Sequence, residues 1–223
     1  MQYYCLYLLC FCILLTSCSH SLEEVKDGIP AETDRPNQIM NLLENGNCER
    51  WYDLENEYLS GWSMRDNFGS VQKECNNVYE GKYSAKLSSP KSGITSSVSQ
   101  RISVSSGHHI RIYFHYYVKD CSGKEPRMYC YFRESASKNI SNDILSTFYD
   151  SNTLMIIRGG GYGEPYFPLK FGEWKLFDYV IQVPAIANYF VFELHSYAAT
   201  TMYIDDCYVV DLSLIHISEP TRP

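Results

Sequence analysis

The sequence predicts an all-β protein: an antiparallel two-sheet β-sandwich, with a jelly roll as the usual solution at this length. Three observations predict it. Apolar and polar residues alternate with a period of two along much of the chain, as a half-buried pleated strand requires. The alternating stretches are short and lie between Gly, Ser and Pro turns. Tyr fills 20 of 223 positions and aromatics make up 15%, a load that many strand positions or a binding surface must carry. At 45% apolar and 20% charged, the chain is no wholly disordered polymer. A net charge of −7, a pI near 5.4 and the lack of any basic run argue against a nucleic-acid partner.

The elements follow in chain order. Residues 1–17, MQYYCLYLLCFCILLTS, carry no charge. The apolar run Cys5 to Leu15 has the length of a signal-peptide core, too short to span a bilayer, although Lys and Arg are missing before it. Ser19 to Gln38 holds two Pro, several acids and little apolar content, and reads as a tether. The structured domain then runs over residues 39–211. Only Ile39 to Leu43 and Asp143 to Phe148 could be helical.

The strands come next. In His109 to Lys119, Ile110, Ile112, Phe114, Tyr116 and Val118 share one face, and Arg111, Tyr113, His115 and Tyr117 the other. Arg127 to Glu134 sets Met128, Cys130 and Phe132 against Tyr129, Tyr131 and Arg133. Lys175 to Val183 and Tyr189 to Tyr197 alternate likewise, the latter with Phe190, Phe192 and Leu194 against Val191, Glu193, His195 and Tyr197. Met202 to Val210 closes the domain as a further strand.

Both ends carry resemblances of their own. Leu14-Leu15-Thr16-Ser17-Cys18 resembles the lipobox of bacterial lipoproteins, which implies that Cys18 is lipidated and becomes the new N-terminus. Several acyl chains would anchor the chain stably. Acidic Glu23-Glu24 close behind is similar to surface-export signals of Bacteroidetes lipoproteins, so the expected location is the outer membrane or cell surface. At the other end, LSLIHISEPTR at residues 212–222 resembles a translated sequencing adapter, so residues 212–223 are set aside as non-native read-through and more domains could follow in the gene.

Between the ends, Asn41-Leu42-Leu43-Glu44-Asn45-Gly46-Asn47-Cys48-Glu49 opens a series of segments. It continues with Trp62, Glu80-Gly81-Lys82-Tyr83-Ser84-Ala85-Lys86-Leu87, Gln100-Arg101-Ile102-Ser103-Val104, Gly172-Glu173-Trp174 and Met202-Tyr203-Ile204-Asp205-Asp206-Cys207-Tyr208-Val209. In this order they resemble carbohydrate-binding modules of the cellulase-C type (families 4, 9 and 22), galactose-binding-like β-sandwiches. Cys48 and Cys207 depart from it, standing where the family has Phe and Val.

The resemblance implies a non-catalytic module that binds a polysaccharide or oligosaccharide through a sheet face or loop tips. A sugar ring has an apolar face and a rim of hydroxyls, and Tyr offers both a flat body and a hydroxyl. If the two successive strands pair, Tyr113, His115, Tyr117, Tyr129, Tyr131 and Arg133 make one patch; otherwise they are cross-strand pairs covering a sheet. Trp62 could serve the ligand or the core, and Trp174 is expected in the core. Tyr162, amid the glycines of Arg158 to Glu164, could be presented by a mobile loop or sit in a long hairpin connection. The family also implies a structural Ca²⁺, here on Glu49, Glu80, a carbonyl near Lys82, and Asp205 or Asp206.

Cys121 and Cys130 flank a plausible hairpin and could be stapled; Cys48 and Cys207 could bond or simply pack; Cys75 is left over. No GxSxG or HExxH motif appears. Two other readings stand beside the glycan-binding one: a cell-surface protein-interaction module, and the leading domain of a truncated glycan-degrading enzyme.

Overall fold

Twelve strands carry nearly all the regular structure. They are β1 (Trp51–Asp53), β2 (Glu57–Leu59), β3 (Ser63–Asn67), β4 (Ser70–Glu74), β5 (Ser84–Ser89), β6 (Thr95–Ser103), β7 (His109–Cys121), β8 (Arg127–Met128), β9 (Tyr131–Arg133), β10 (Trp174–Gln182), β11 (Tyr189–Ser196) and β12 (Thr200–Asp211). A short helix, α1 (Asn142–Leu145), is capped by the Ser141 hydroxyl, which accepts from the Ile144 N–H. The structure, a computed structural model, describes residues 40–53, 57–67, 69–123, 125–151, 153–154 and 170–214. Cys18, its tether and the Tyr162 loop lie outside the described residues.

Two five-stranded antiparallel sheets form the sandwich. The first runs β10-β7-β12-β5-β4; the second runs β3-β6-β11-β8, with β9 also on β11. From β5 onward the chain changes sheet at nearly every connection. This is why strands adjacent in sequence seldom pair, and why β7 and the β8–β9 segment lie in different sheets.

The alternation works as expected. Ile110, Ile112, Phe114, Tyr116 and Val118 of β7 are buried, facing Phe190, Phe192 and Leu194 of β11, also buried. Phe114 meets Phe192 edge-on at 5.7 Å between ring centroids, joining the two inner faces. Burying each such ring stabilises the fold by about 1.5–3 kcal/mol. Trp62 belongs here too. It is 7% exposed, sits edge-on to Phe192 at 5.9 Å, and donates its indole N–H to the Asn45 carbonyl at 3.2 Å. It is a core residue and leaves the list of ligand contacts.

Three expectations need correction. Residues 41–43 are not helical: Asn41 bridges to Val210 and the Leu42 N–H donates to the Val209 carbonyl. The second expected helix is shorter, Asn142–Leu145. Cys121 and Cys130 are free thiols, as are Cys48 and Cys207. Cys121 ends β7 in the first sheet and Cys130 lies inside against β11, its Sγ accepting from the Glu193 N–H at 3.3 Å, so no hairpin joins them. Cys48 and Cys207 pack as small buried groups, and burial pushes the Cys207 thiol well up. Cys75 is disulfide-bonded rather than left over.

Candidate functional site

The six strand residues expected to form one patch divide between two faces. On the outer face of the first sheet lie Tyr113, His115 and Tyr117 of β7. Directly opposite them on β10 stand Asp178, Leu176 and Trp174, and on β12 Tyr208, Asp205 and Tyr203. Residues directly opposite in an antiparallel ladder share a face. Trp174 is therefore half-buried on this outer face, edge-on to Tyr79 and tilted toward Tyr117, both at 5.8 Å, and not in the core as expected.

This first face is closed on itself. Tyr113 and Tyr208 stack at 4.6 Å, and Tyr79 lies flat on the His115 ring at 3.5 Å. Arg111 forks onto Asp178 through two bonds of 2.8 and 2.6 Å while covering Tyr113. His115 Nδ1 lies 3.2 Å from Asp206 Oδ2. Burial lowers the His115 pKa against the pull of that carboxylate, and burial with Asp206 beside it pushes the Tyr208 phenol up to about 12. Tyr113, Tyr208 and His115 each give a ring face to a neighbour, whereas Tyr117 and Trp174 meet their neighbours edge-on or tilted.

The outer face of the second sheet is built differently. Register places Arg65, Ser97, His195 and Arg127 in one row across four strands. The next row holds Ser63, Ser99 and Glu193, and Tyr129, whose N–H donates to the Glu193 carbonyl, completes it. A third row holds Arg101, Val191 and Tyr131, and a fourth Ser103, Tyr189 and Arg133. Small hydroxyls of β6 thus form a low strip, with rings and guanidinium groups on the β8–β9 side.

Its polar groups are held firmly. Glu193 is 9% exposed and its carboxylate lies 2.6 Å from His195 Nε2. Arg127 donates from Nε to the Tyr197 hydroxyl at 2.6 Å, with its guanidinium over Tyr197 at 4.5 Å and Tyr129 at 5.4 Å. His195 stacks on Tyr197 at 5.4 Å. Two buried donor-capable nitrogens on this face, His195 Nδ1 and Arg133 Nε, have no hydrogen-bond partner among the described residues. Leaving a buried polar atom without a partner costs free energy. Half-buried Tyr131 has no ring or cation stacked on it among the described residues.

Glu193, His195, Tyr197 and Arg127 were not singled out from sequence as ligand contacts. The signal was there, since alternation puts Glu193, His195 and Tyr197 on one face of β11. What was missing was that β11 is the neighbour of β8 and β9.

Three of the four carboxylates expected to hold calcium have partners within the protein. Glu49 Oε1 accepts from the Lys82 and Tyr83 N–H groups at 2.7 and 3.0 Å. Asp205 Oδ2 accepts from Tyr79 and Glu80 at 3.0 and 3.2 Å, and its Oδ1 from Asp206 at 2.8 Å. Asp206 turns to His115. Among the described residues no three His, Cys, Asp or Glu side chains gather into a metal-holding group. Backbone amides thus satisfy one oxygen of Glu49 and both oxygens of Asp205.

The fold has known counterparts. The chain is similar to the enzymatically active domain of tailspike protein 4 from bacteriophage CBA120, at 13% identity and a TM-score of 0.51; the match covers 77% of this chain and 21% of that one. It is also similar to a family 16 carbohydrate-binding module, at 15% identity and a TM-score of 0.51, over 77% of this chain and 100% of the module. The fold is thus a β-sandwich of the kind that carbohydrate-binding modules use. This chain spans about a fifth of the tailspike domain's length. No protein-family model and no curated protein sequence matches it.

Proposed function

We propose that this chain is a non-catalytic glycan-binding module, and that its ligand lies on the outer face of the second sheet. One observation carries the reading. The uncovered ring of Tyr131 sits on the same face as the β6 serines and the guanidinium groups of Arg127 and Arg133. A saccharide fits such a surface: its apolar face rests on the ring while its hydroxyls meet the guanidinium groups and the serine hydroxyls. The match to a whole carbohydrate-binding module supports the reading. The lipobox-like segment at Cys18 would hold the module at the bacterial surface by lipid, where it would keep a glycan near other surface proteins.

Affinity gels with a panel of soluble polysaccharides test this. Tyr131→Ala should weaken retention about ten-fold, the worth of ~1.5 kcal/mol of ring burial. Tyr113→Ala, on the other sheet, should leave it unchanged. Retention lost with Tyr113→Ala but kept with Tyr131→Ala would move the site to the first face; no retention on any glycan would remove the function.

A further inference from the structure

The described residues hold six arginines: Arg50, Arg65, Arg101, Arg111, Arg127 and Arg133. Four of them, Arg65, Arg101, Arg127 and Arg133, fall on the outer face of the second sheet. They come from three separate stretches of the sequence, around positions 65, 101 and 127–133, and the chain as a whole is acid, with a net charge of −7. The strand positions of that face carry one carboxylate, Glu193, already engaged by His195. From this concentration we propose that the face selects an anionic glycan, one bearing carboxylate or sulfate groups. The proposal rests on the glycan-binding reading and specifies its ligand.

The arginines are poised for such a ligand because none is spent on a carboxylate. Arg127 bonds a phenol through Nε and is flanked by Tyr129 and Tyr197. Arg101 lies over Tyr189 and touches the Ala136 carbonyl at 3.3 Å. Arg133 Nε has no hydrogen-bond partner among the described residues. Contrast Arg111 on the first face, forked onto Asp178 and so neutralised. A guanidinium fixed by stacking loses little freedom when it binds, and its planar fork matches the two oxygens of a carboxylate or sulfate. Arg65 and Arg127 close the two ends of one row, with Ser97 and His195 between them. A chain lying across that row would meet a cation at each end and hydroxyl-binding groups in the middle. Clustered cations on an acid protein also act as a local steering field for a polyanion.

The test compares polygalacturonate (carboxylate), chondroitin sulfate (carboxylate and sulfate), dextran sulfate (sulfate alone), neutral xylan and single-stranded DNA as ligands of the full chain. An acidic glycan should bind better than xylan, and raising NaCl to about 0.5 M should weaken it strongly. Arg127→Gln with Arg133→Gln should weaken acidic-glycan binding about ten-fold or more, as loss of charge-assisted bonds does. Arg65→Gln with Arg101→Gln, both at exposed positions and so safe for folding, should lower it in the same sense; Arg111→Gln should not. Thermal melts confirm that each variant is folded. Polygalacturonate against dextran sulfate shows whether carboxylate or sulfate is preferred. Equal binding of xylan, lost with Tyr131→Ala but indifferent to salt and to the four arginines, would overturn this inference and leave the glycan-binding function standing. Preference for DNA would overturn it as well, and no binding to any glycan would overturn both.

Discussion

Asp205 shows what a single side chain can settle. It is fully buried, and its two oxygens take three backbone N–H groups from Tyr79, Glu80 and Asp206. It thereby ties the loop before β5 to β12. Burial pushes its carboxyl up from 3.8 to about 6, against the pull of those three donors. Because the folded value is the higher one, the folded state holds the proton more tightly. The stability from this group is therefore full below about pH 4 and is lost as pH rises through 6. At pH 4, Asp205→Asn should cost about 1–3 kcal/mol, since an amide nitrogen would face N–H donors it cannot accept from. Between pH 4 and 7 the wild type should lose on the order of 2–3 kcal/mol relative to that variant. Urea melts of both proteins across this range read the difference, and parallel curves would show that Asp205 does not titrate there. The sequence marks Asp205 only as an acid in a strand. Its partners are more than a hundred residues away, so their identity was not legible.

At the scale of elements, β12 is the hub, pairing with β7 on one side and β5 on the other. Its register shifts between Asp205 and Tyr208, where Asp206 takes a φ of +51°. The segment 41–48 docks on this bulge. Asn41 Nδ2 donates to the Cys207 carbonyl at 2.9 Å, Asn41 Oδ1 accepts from Val209 at 3.1 Å, and Cys207 donates its N–H to the Gly46 carbonyl at 2.8 Å. A Cβ on Gly46 would lie 2.0 Å from the Cys207 oxygen. Gly46→Ala should therefore lift the segment from β12 and cost about 1–3 kcal/mol. A denaturation midpoint that did not move would mean the segment is not seated there. The Asn41-to-Glu49 signature was visible in the sequence as a family-like opening, but nothing in it says that Asn41 and Gly46 are joints to the last strand. The strands themselves were better announced. β7, β10, β11 and β12 all appear within two residues of the alternating stretches, because side-chain facing on a pleated ribbon depends only on local parity. The Arg127–Glu134 stretch broke into β8 and β9, both short and both on β11.

At the scale of the molecule, the two outer faces are on opposite sides of the sandwich and should behave independently. Tyr208→Ala removes a stacking partner of Tyr113 and should lower stability by about 1–3 kcal/mol without changing glycan retention. Tyr131→Ala should do the reverse. The double variant should show both effects in simple sum, since the sites share no contact. A coupling between them in either readout would mean that the sheets transmit strain across the core.

Which residues turn inward and which turn outward on each strand was decided by the sequence itself, because pleating imposes a period of two on any buried ribbon. Trp62 and Trp174 escaped that rule, the first lying outside any strand and the second at the very start of one. Only the tertiary structure decided which strands lie side by side. Sheet-crossing connections separate β7 from β8 and β9 and carry β11 beside them instead. That choice takes Tyr129, Tyr131 and Arg133 away from Tyr113, His115 and Tyr117, and joins them to Glu193, His195 and Tyr197. It also gathers four arginines, spread from position 65 to position 133, onto one face of an acid chain. The pairing of distant strands depends on how the whole core closes, and no local pattern records it.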